Sequence, residues 1–311
     1  MDSPVWCAPI SRAVVFGGTH GNEMAGVCLA KHWMKNPSEI QRQTFTTECC
    51  IANPLAVERC VRYIDQDLNR CFSMEILRSP AAPSDSYELK RARDIFHKYG
   101  SGDSAVDFAL DLHNTTANMG VTYLLCRNND LFSVHLVNYL QSKSGDLPLP
   151  FHCSLTDVPE KDLVYLHRIA KRSLCLEIGP QPHGVIRADI LSAMREIVNH
   201  VLDFIDLFNQ GKEFPGFEMD NYTFFSRVDF PRDSKGEVEA VIHSELQDKD
   251  FAPLKPGDPI FKTLDGKDIL YEGEKILYPM FINEAAYYEK KVAFVLTEKV
   301  RCTFPALKLM H

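Results

Sequence analysis

His20 and Glu23 stand three residues apart in Gly17-Gly18-Thr19-His20-Gly21-Asn22-Glu23. The segment follows the apolar run AVVF, which reads as a strand, and precedes a helical pattern, so both side chains sit on a sharp turn at a strand's carboxyl end. Open α/β sheets keep their ligands there. An imidazole and a carboxylate are good zinc ligands, and a catalytic zinc needs a third protein ligand and an open position. His113 is the candidate for that ligand, because Phe108-Ala109-Leu110-Asp111-Leu112-His113 is a second buried strand ending abruptly in polar residues. Asp111 is a candidate hydrogen-bond partner for one of the imidazoles, and the sequence leaves open which. No Gly-Lys-Ser/Thr follows the glycines, which excludes a phosphate loop.

A third strand, Leu174-Cys175-Leu176-Glu177-Ile178-Gly179, carries a carboxylate in apolar surroundings. An unpaired buried charge is costly, so Glu177 has either a partner or a chemical role. Beside a metal-bound water it could accept a proton and deliver it to a leaving amine. The bland readings are a capping histidine and a carboxylate salt-bridged to arginine. Three strand ends bearing such groups together favour metal-assisted amide hydrolysis.

Two further clusters suit a substrate with a polarised carbonyl and a carboxylate. Arg62-Tyr63-Ile64-Asp65-Gln66-Asp67-Leu68-Asn69-Arg70 offers two guanidinium groups and an amide, and guanidinium binds such oxygens bidentately. Asn283-Glu284-Ala285-Ala286-Tyr287-Tyr288-Glu289-Lys290-Lys291 offers a phenol that could reach the substrate from a second domain, or serve as a core aromatic.

The elements that must position these groups follow from hydrophobic pattern. Up to about Gln210, the runs AVVFGG, CCIAN, FALDLH, VTYLLC, FHCSL and SLCLEIG predict strands buried on both faces. Between them, helices are predicted from Glu23 to Lys35, after Asp85 with Asp85 and Glu88 capping reciprocally, from Leu131 to Ser142, and from Arg187 to Gln210. In the last, Ile190, Met194, Ile197, Val201, Leu202, Ile205 and Phe208 recur at helical spacing, and Gly211 ends it. This is an α/β domain with a mixed or mostly parallel sheet. After Gly211 come short runs such as VEAVIHS, PIFKTL, DILYE, KILYPMFI and VAFVLTEK separated by turns, predicting a β-rich second domain. Gly211 to Asp220 reads as the linker. The expected division is residues 1–210 and 211–311.

At 311 residues with 45% apolar and 24% charged residues the chain has the profile of a folded protein of about two domains. Its formal charge of −8 argues against nucleic acid as a partner. No apolar run is long enough to cross a bilayer and no signal peptide opens the chain. The ten cysteines are scattered, mostly in apolar stretches and without a Cys-x-x-Cys pair, which predicts buried thiols in a reducing compartment. Adjacent Cys49 and Cys50 are expected on opposite faces of a strand.

GGTHGNE, DLNR, DLHNTTANMG, LEIGPQPHGV and NEAAYYEK together, in this order, resemble the aspartoacylase family, a branch of the zinc-carboxypeptidase-like hydrolases. The resemblance runs over nearly the whole chain, and LYEGE and VAFVLTEK are most similar to the branch acting on N-acyl aromatic amino acids. It implies a zinc-carboxypeptidase-like mixed sheet with helices on both faces, and a β-rich C-terminal domain that narrows the active-site channel. It implies one zinc per subunit at His20, Glu23 and His113, with Glu177 as proton shuttle. Arg62 would polarise the scissile carbonyl, Asn69 and Arg70 would grip the α-carboxylate, and Tyr287 would contact the substrate. Aspartate-specific members carry an arginine for the substrate's side-chain carboxylate where the register places His167, with Arg168 next to it. Without that cation the expected substrates are N-acetyl aromatic amino acids and S-substituted cysteines, the mercapturates. N-acetyl-aspartate hydrolysis is the alternative, followed by carboxypeptidase action and a silent fold used for interaction. Relatives form dimers or tetramers, so a homo-oligomer is expected, in the cytoplasm or peripherally at an apical membrane.

Overall fold

The computed structural model describes residues 3–125, 130–143, 149–156 and 158–310. Cys126, the end of the expected strand VTYLLC, lies outside the described residues. After a short β1 (Val5–Cys7), six strands form one sheet: β2 (Arg12–Gly17), β3 (Thr46–Ile51), β4 (Phe108–Asn114), β5 (Gly120–Leu125), β6 (Phe151–Leu155) and β7 (Arg172–Gly179), in the order β3-β2-β4-β7-β5-β6. All neighbours are parallel except β5 and β7, so the sheet is mixed, as expected.

Both faces are covered, which explains the nearly continuous apolar runs. The helices are α1 (Met24–Lys35), α2 (Pro54–Arg59), α3 (Met74–Arg78), α4 (Tyr87–Ile95), α5 (Leu131–Ser142) and α6 (Ala188–Asn209). Ala13 and Val15 of β2 pack with residues of α1, α5 and α6, while Val14 and Phe16 pack on the other face with residues of α3 and α4. Cys49 and Cys50 divide between the same two clusters, on opposite faces as expected. No disulfide joins cysteines among the described residues. Cys60, however, is exposed rather than buried.

The register aligns the chemistry. Gly17 of β2 pairs with Leu112 of β4, and His113 of β4 pairs with Glu177 of β7. The three motif ends therefore meet at one sheet edge.

The cap of α4 differs from expectation. Ser86, not Asp85, is its N-cap, with the hydroxyl accepting from Leu89 N at 3.3 Å. Glu88 turns inward instead of capping. Fully buried, it accepts from the amides of Ile64, Asp65 and Gln66 and from Asn53 Nδ2. Three orphan loop amides make a stronger demand on a carboxylate than one exposed helix end does.

The second domain holds β8 (Phe217–Val228), β9 (Ala240–Ile242), β10 (Pro259–Thr263), β11 (Asp268–Leu270), β12 (Tyr278–Met280) and β13 (Phe294–Phe304). They form the antiparallel sheets β12-β13-β8 and β11-β10-β9, with Phe230, Phe261 and Phe294 in the core between them. The expected linker is shorter than drawn from sequence: β8 begins at Phe217 because Phe217 and Met219 already pack on the first domain's core. The chain also crosses back at its end. The last strand, β14 (Leu307–Leu309), pairs parallel with β1, and Phe304 and Leu307 join the first core.

Candidate metal centre and active site

The turn after β2 needs its glycines at two points. Gly18 adopts φ +69, the left-handed region that favours glycine, and a Cβ on Gly21 would meet the backbone of Ala56 at about 2.2 Å. The turn brings His20 Nδ1 to 2.7 Å from Glu23 Oε1. His113 Nδ1 lies 2.9 Å from Glu23 Oε2 and 3.1 Å from His20 Nδ1. All three side chains are buried. Among the described residues this is the group of histidine and acidic side chains able to hold a metal ion.

The outer nitrogens decide what the inner ones offer. His20 Nε2 is 3.1 Å from Asp67 Oδ1, and His113 Nε2 is 2.7 Å from Asp111 Oδ2. A carboxylate accepts only, so each Nε2 donates. In the neutral rings both Nδ1 lone pairs then face one another and the same carboxylate. Lone pairs at such a separation repel unless a cation lies between them. Bonds of about 2.1 Å in tetrahedral array put ligand atoms about 3.4 Å apart, which this trio nearly meets. The residues therefore fit a zinc ion, with each imidazole braced by a carboxylate. Thr19 Oγ1 donates to Asp111 Oδ1 at 2.7 Å and fixes the second brace. Burial works to raise the Glu23 carboxyl, but His20 and His113 outweigh it and hold it well below its usual range.

Arg62 leans over this centre, with Nη1 3.2 Å from Glu23 Oε1 and Nη2 3.3 Å from Asp67 Oδ2. Its loop is held by buried Glu88. Asn69 Oδ1 accepts from Leu166 N at 2.8 Å, which leaves its Nδ2 hydrogens for an acceptor. Arg70 lies over the Tyr165 ring at 5.2 Å and has no ion pair with the described residues.

These groups open into a cavity of about 590 Å³, a size suited to an acylated amino acid with a large side chain. His20, Arg62, Asn69, Arg70, His167, Glu177 and Tyr287 line it. Glu23 and His113 are buried and do not line it. Glu177 is half-buried in the wall; burial pushes its carboxyl up to about 8, with Glu23 and Glu284 adding to burial against the pull of His113 and Arg62. Burial, reinforced by Glu177, also pushes the Tyr287 phenol up. Leu124, Leu125, Val158, Phe224, Met280, Phe281, Val292 and Val295 make most of the remaining wall apolar, with Ser154, Thr156 and Arg227 as polar interruptions.

Arg168 does not join them. Its Nη1 donates to the Leu163 carbonyl at 2.5 Å, and the side chain does not line the cavity. His167, whose ring stacks on Tyr165, stands at the cavity instead. The short 3₁₀ helix Ala285–Lys290 swings Tyr287 and Lys290 into the site from the second domain. Buried Glu284 anchors it by accepting from Thr116 N at 2.8 Å and Ala117 N at 3.0 Å, just past β4.

Sequence reasoning missed Asp67, Glu88, Glu284 and Lys290 as parts of the site. Asp67, Glu284 and Lys290 stood inside clusters already singled out, but a charged loop residue carries no local mark of its partner.

Residues 9–205 match the family model described as the succinylglutamate desuccinylase/aspartoacylase catalytic domain, and residues 217–299 match the AstE/AspA barrel-sandwich hybrid domain. The chain is 61% identical over 311 residues to an N-acyl-aromatic-L-amino acid amidohydrolase (carboxylate-forming) of Xenopus tropicalis, covering 100% of both chains. It is 46% identical to an aspartoacylase of Mus musculus, covering 99% of both. It superposes on the crystal structure of murine aminoacylase 3 with a TM-score of 0.93 and 50% identity, covering 97% of this chain and 99% of that one.

Proposed function

The chain belongs to the succinylglutamate desuccinylase/aspartoacylase family of amide hydrolases, and from that premise we propose that it is a zinc-dependent amidohydrolase of N-acyl, mainly N-acetyl, aromatic amino acids and S-substituted cysteines. The observation that carries the reading is the cavity's two kinds of lining: His20 of the metal-type trio with Arg62, Asn69, Arg70 and Lys290 on one side, and on the other a mainly apolar wall interrupted by Arg227. A free carboxylate and a bulky apolar side chain satisfy both sides at once. The name borne by the Xenopus tropicalis relative supports it.

His20, Glu23 and His113 would hold the zinc. When bound, zinc lowers the pKa of water and polarises an acyl oxygen. Glu177 would take the proton from the attacking water and return it to the leaving nitrogen, which departs as the free amino acid while the acyl group leaves as a carboxylate. The guanidinium of Arg62, already oriented by Glu23 and Asp67, would stabilise the negative charge that develops on the acyl oxygen. Asn69 and Arg70 would bind the α-carboxylate. Tyr287 would close the substrate's exit side. The apolar wall would exclude water and take the aromatic or S-aryl group.

Arg168 does not line the cavity, so a substrate whose side chain ends in a carboxylate would meet no arginine beside His167 and would have to reach Arg227 of β8 in the opposite wall. Comparison of kcat/KM for N-acetyl-tyrosine, an N-acetyl S-aryl-cysteine and N-acetyl-aspartate, with metal analysis of the same sample, tests the reading. A preference of tenfold or more for the first two is expected. A large preference for N-acetyl-aspartate, or a preparation active without metal, would overturn it.

A further inference from the structure

We propose that Lys290 is a second grip on the substrate's α-carboxylate, supplied by the C-terminal domain, and that it makes a free carboxylate a condition of efficient turnover. The inference rests on the hydrolase reading above and extends it to a residue of the other domain.

Lys290 lines the cavity wall and reaches toward the metal side. Its Nζ is 3.1 Å from Asp67 Oδ2 and 5.3 Å from the centre of the Tyr287 ring. Its backbone is held at both ends of the short helix that carries it. Glu284 binds the amides of Thr116 and Ala117, and Glu289 Oε2 accepts from Tyr63 OH at 2.7 Å. The ammonium is therefore delivered to one place by contacts that cross between the domains.

The local charge count gives the position its meaning. Among the described residues Asp67 is the carboxylate that Lys290 touches, and the same oxygen also receives Arg62. The other Asp67 oxygen is taken by His20 and by the amide of Asn69. Arg70 has no ion pair with the described residues. Of the three cations Arg62, Arg70 and Lys290, two pair with Asp67, Arg62 also meets Glu23, and Arg70 is left over, with Glu177 the carboxylate that lines the cavity itself. A cavity wall with surplus positive charge favours an incoming anion. An ammonium has three donors, so Lys290 can keep Asp67 and still donate to a substrate carboxylate held by Asn69 and Arg70. A structural lysine serving Asp67 alone would not need to face the cavity, because Arg62 and His20 already satisfy that carboxylate.

The test compares N-acetyl-tyrosine with its methyl ester, reading release of acetate from the zinc-loaded protein and from Lys290→Met and Lys290→Arg. For Lys290→Met, KM on the free acid should rise about tenfold or more with kcat changing less than about threefold, while the ester is unaffected. Lys290→Arg should recover most of the loss. Titration of N-acetyl-tyrosine into Glu177→Gln and into the Glu177→Gln/Lys290→Met pair reads the same contact without turnover, and the second should bind at least about tenfold more weakly. Equal losses on acid and ester, accompanied by weaker zinc binding, would make Lys290 a brace for Asp67 and overturn the proposal. So would unchanged KM and unchanged binding. Failure of the wild-type protein to release acetate from any N-acyl amino acid would count against the hydrolase reading instead, and the binding comparison would still decide the role of Lys290.

Discussion

His20 and His113 approach nitrogen to nitrogen, Nδ1 to Nδ1 at 3.1 Å, while the opposite nitrogen of each ring is bound to a different aspartate. Residues ninety-three apart in sequence are thus turned toward one point. Purified protein is expected to contain about one zinc per chain and to lose activity on chelation, with recovery on adding zinc back. His113→Ala should abolish tight metal binding, as read by metal analysis. Full metal content in that variant would disprove the assignment.

Asp67 orients His20 through one oxygen and Arg62 through the other. Asp67→Asn keeps the shape but can supply only one acceptor oxygen. Zinc affinity measured by chelator competition should fall about 10- to 100-fold, and kcat should fall with it. An unchanged affinity would leave Asp67 a role in packing only.

Glu177 lines the cavity and is not one of the three side chains, His20, Glu23 and His113, that could hold a metal ion. Glu177→Gln preserves volume and removes the basic oxygen. We expect kcat to drop about 10²- to 10⁴-fold with zinc retained. If metal were lost together with activity, Glu177 would be serving the metal rather than the proton.

His167 faces the cavity where a cation would select an acidic side chain, whereas Arg168 is turned to the Leu163 carbonyl. His167→Arg is expected to raise kcat/KM on N-acetyl-aspartate by about tenfold and to lower it on N-acetyl-tyrosine. Arg168→Met should leave the ratio of the two substrates unaltered. A ratio that responded to Arg168 and ignored His167 would reverse the assignment.

Asp250, in the second domain, has one oxygen accepting from Ile282 N at 3.0 Å and the other buried without a hydrogen-bond partner among the described residues. Burial pushes its carboxyl up to about 7. Between the unfolded value of about 3.9 and that folded value, the native state keeps a proton that the unfolded chain has released. Stability therefore falls as pH rises through this window. Asp250→Asn removes the penalty. Its Tm should match wild type near pH 4 and exceed it by a few degrees at pH 8, a gain of about 1 kcal/mol after allowing for solvent screening. Equal Tm differences at both pH values would show that Asp250 ionises normally.

Much of the fold is written locally. Apolar runs mark strands because a strand buried on both faces has no position for a polar side chain, and the α6 stripe marks a helix because its apolar residues recur every three to four positions. The candidate metal ligands were legible for a related reason: each sits where such a run breaks into polar residues at a strand end. What sequence could not decide is set by contacts between distant segments. Asp111 could have served either imidazole; the register of β4 and the turn carrying His20 assign it to His113 and leave His20 to Asp67. Glu88 sits at a capping-box spacing yet is drawn into the core by the amides of residues 64–66. Arg168 and His167 are neighbours in sequence, and only the packed chain determines which of them meets the cavity. Nothing in its own segment singles out Lys290, which is set beside Asp67 only because the second domain packs against the first. Hydrophobic burial acts on patterns a few residues long, so sequence reveals it, whereas the pairing of charges depends on which surfaces tertiary packing brings within about 3 Å.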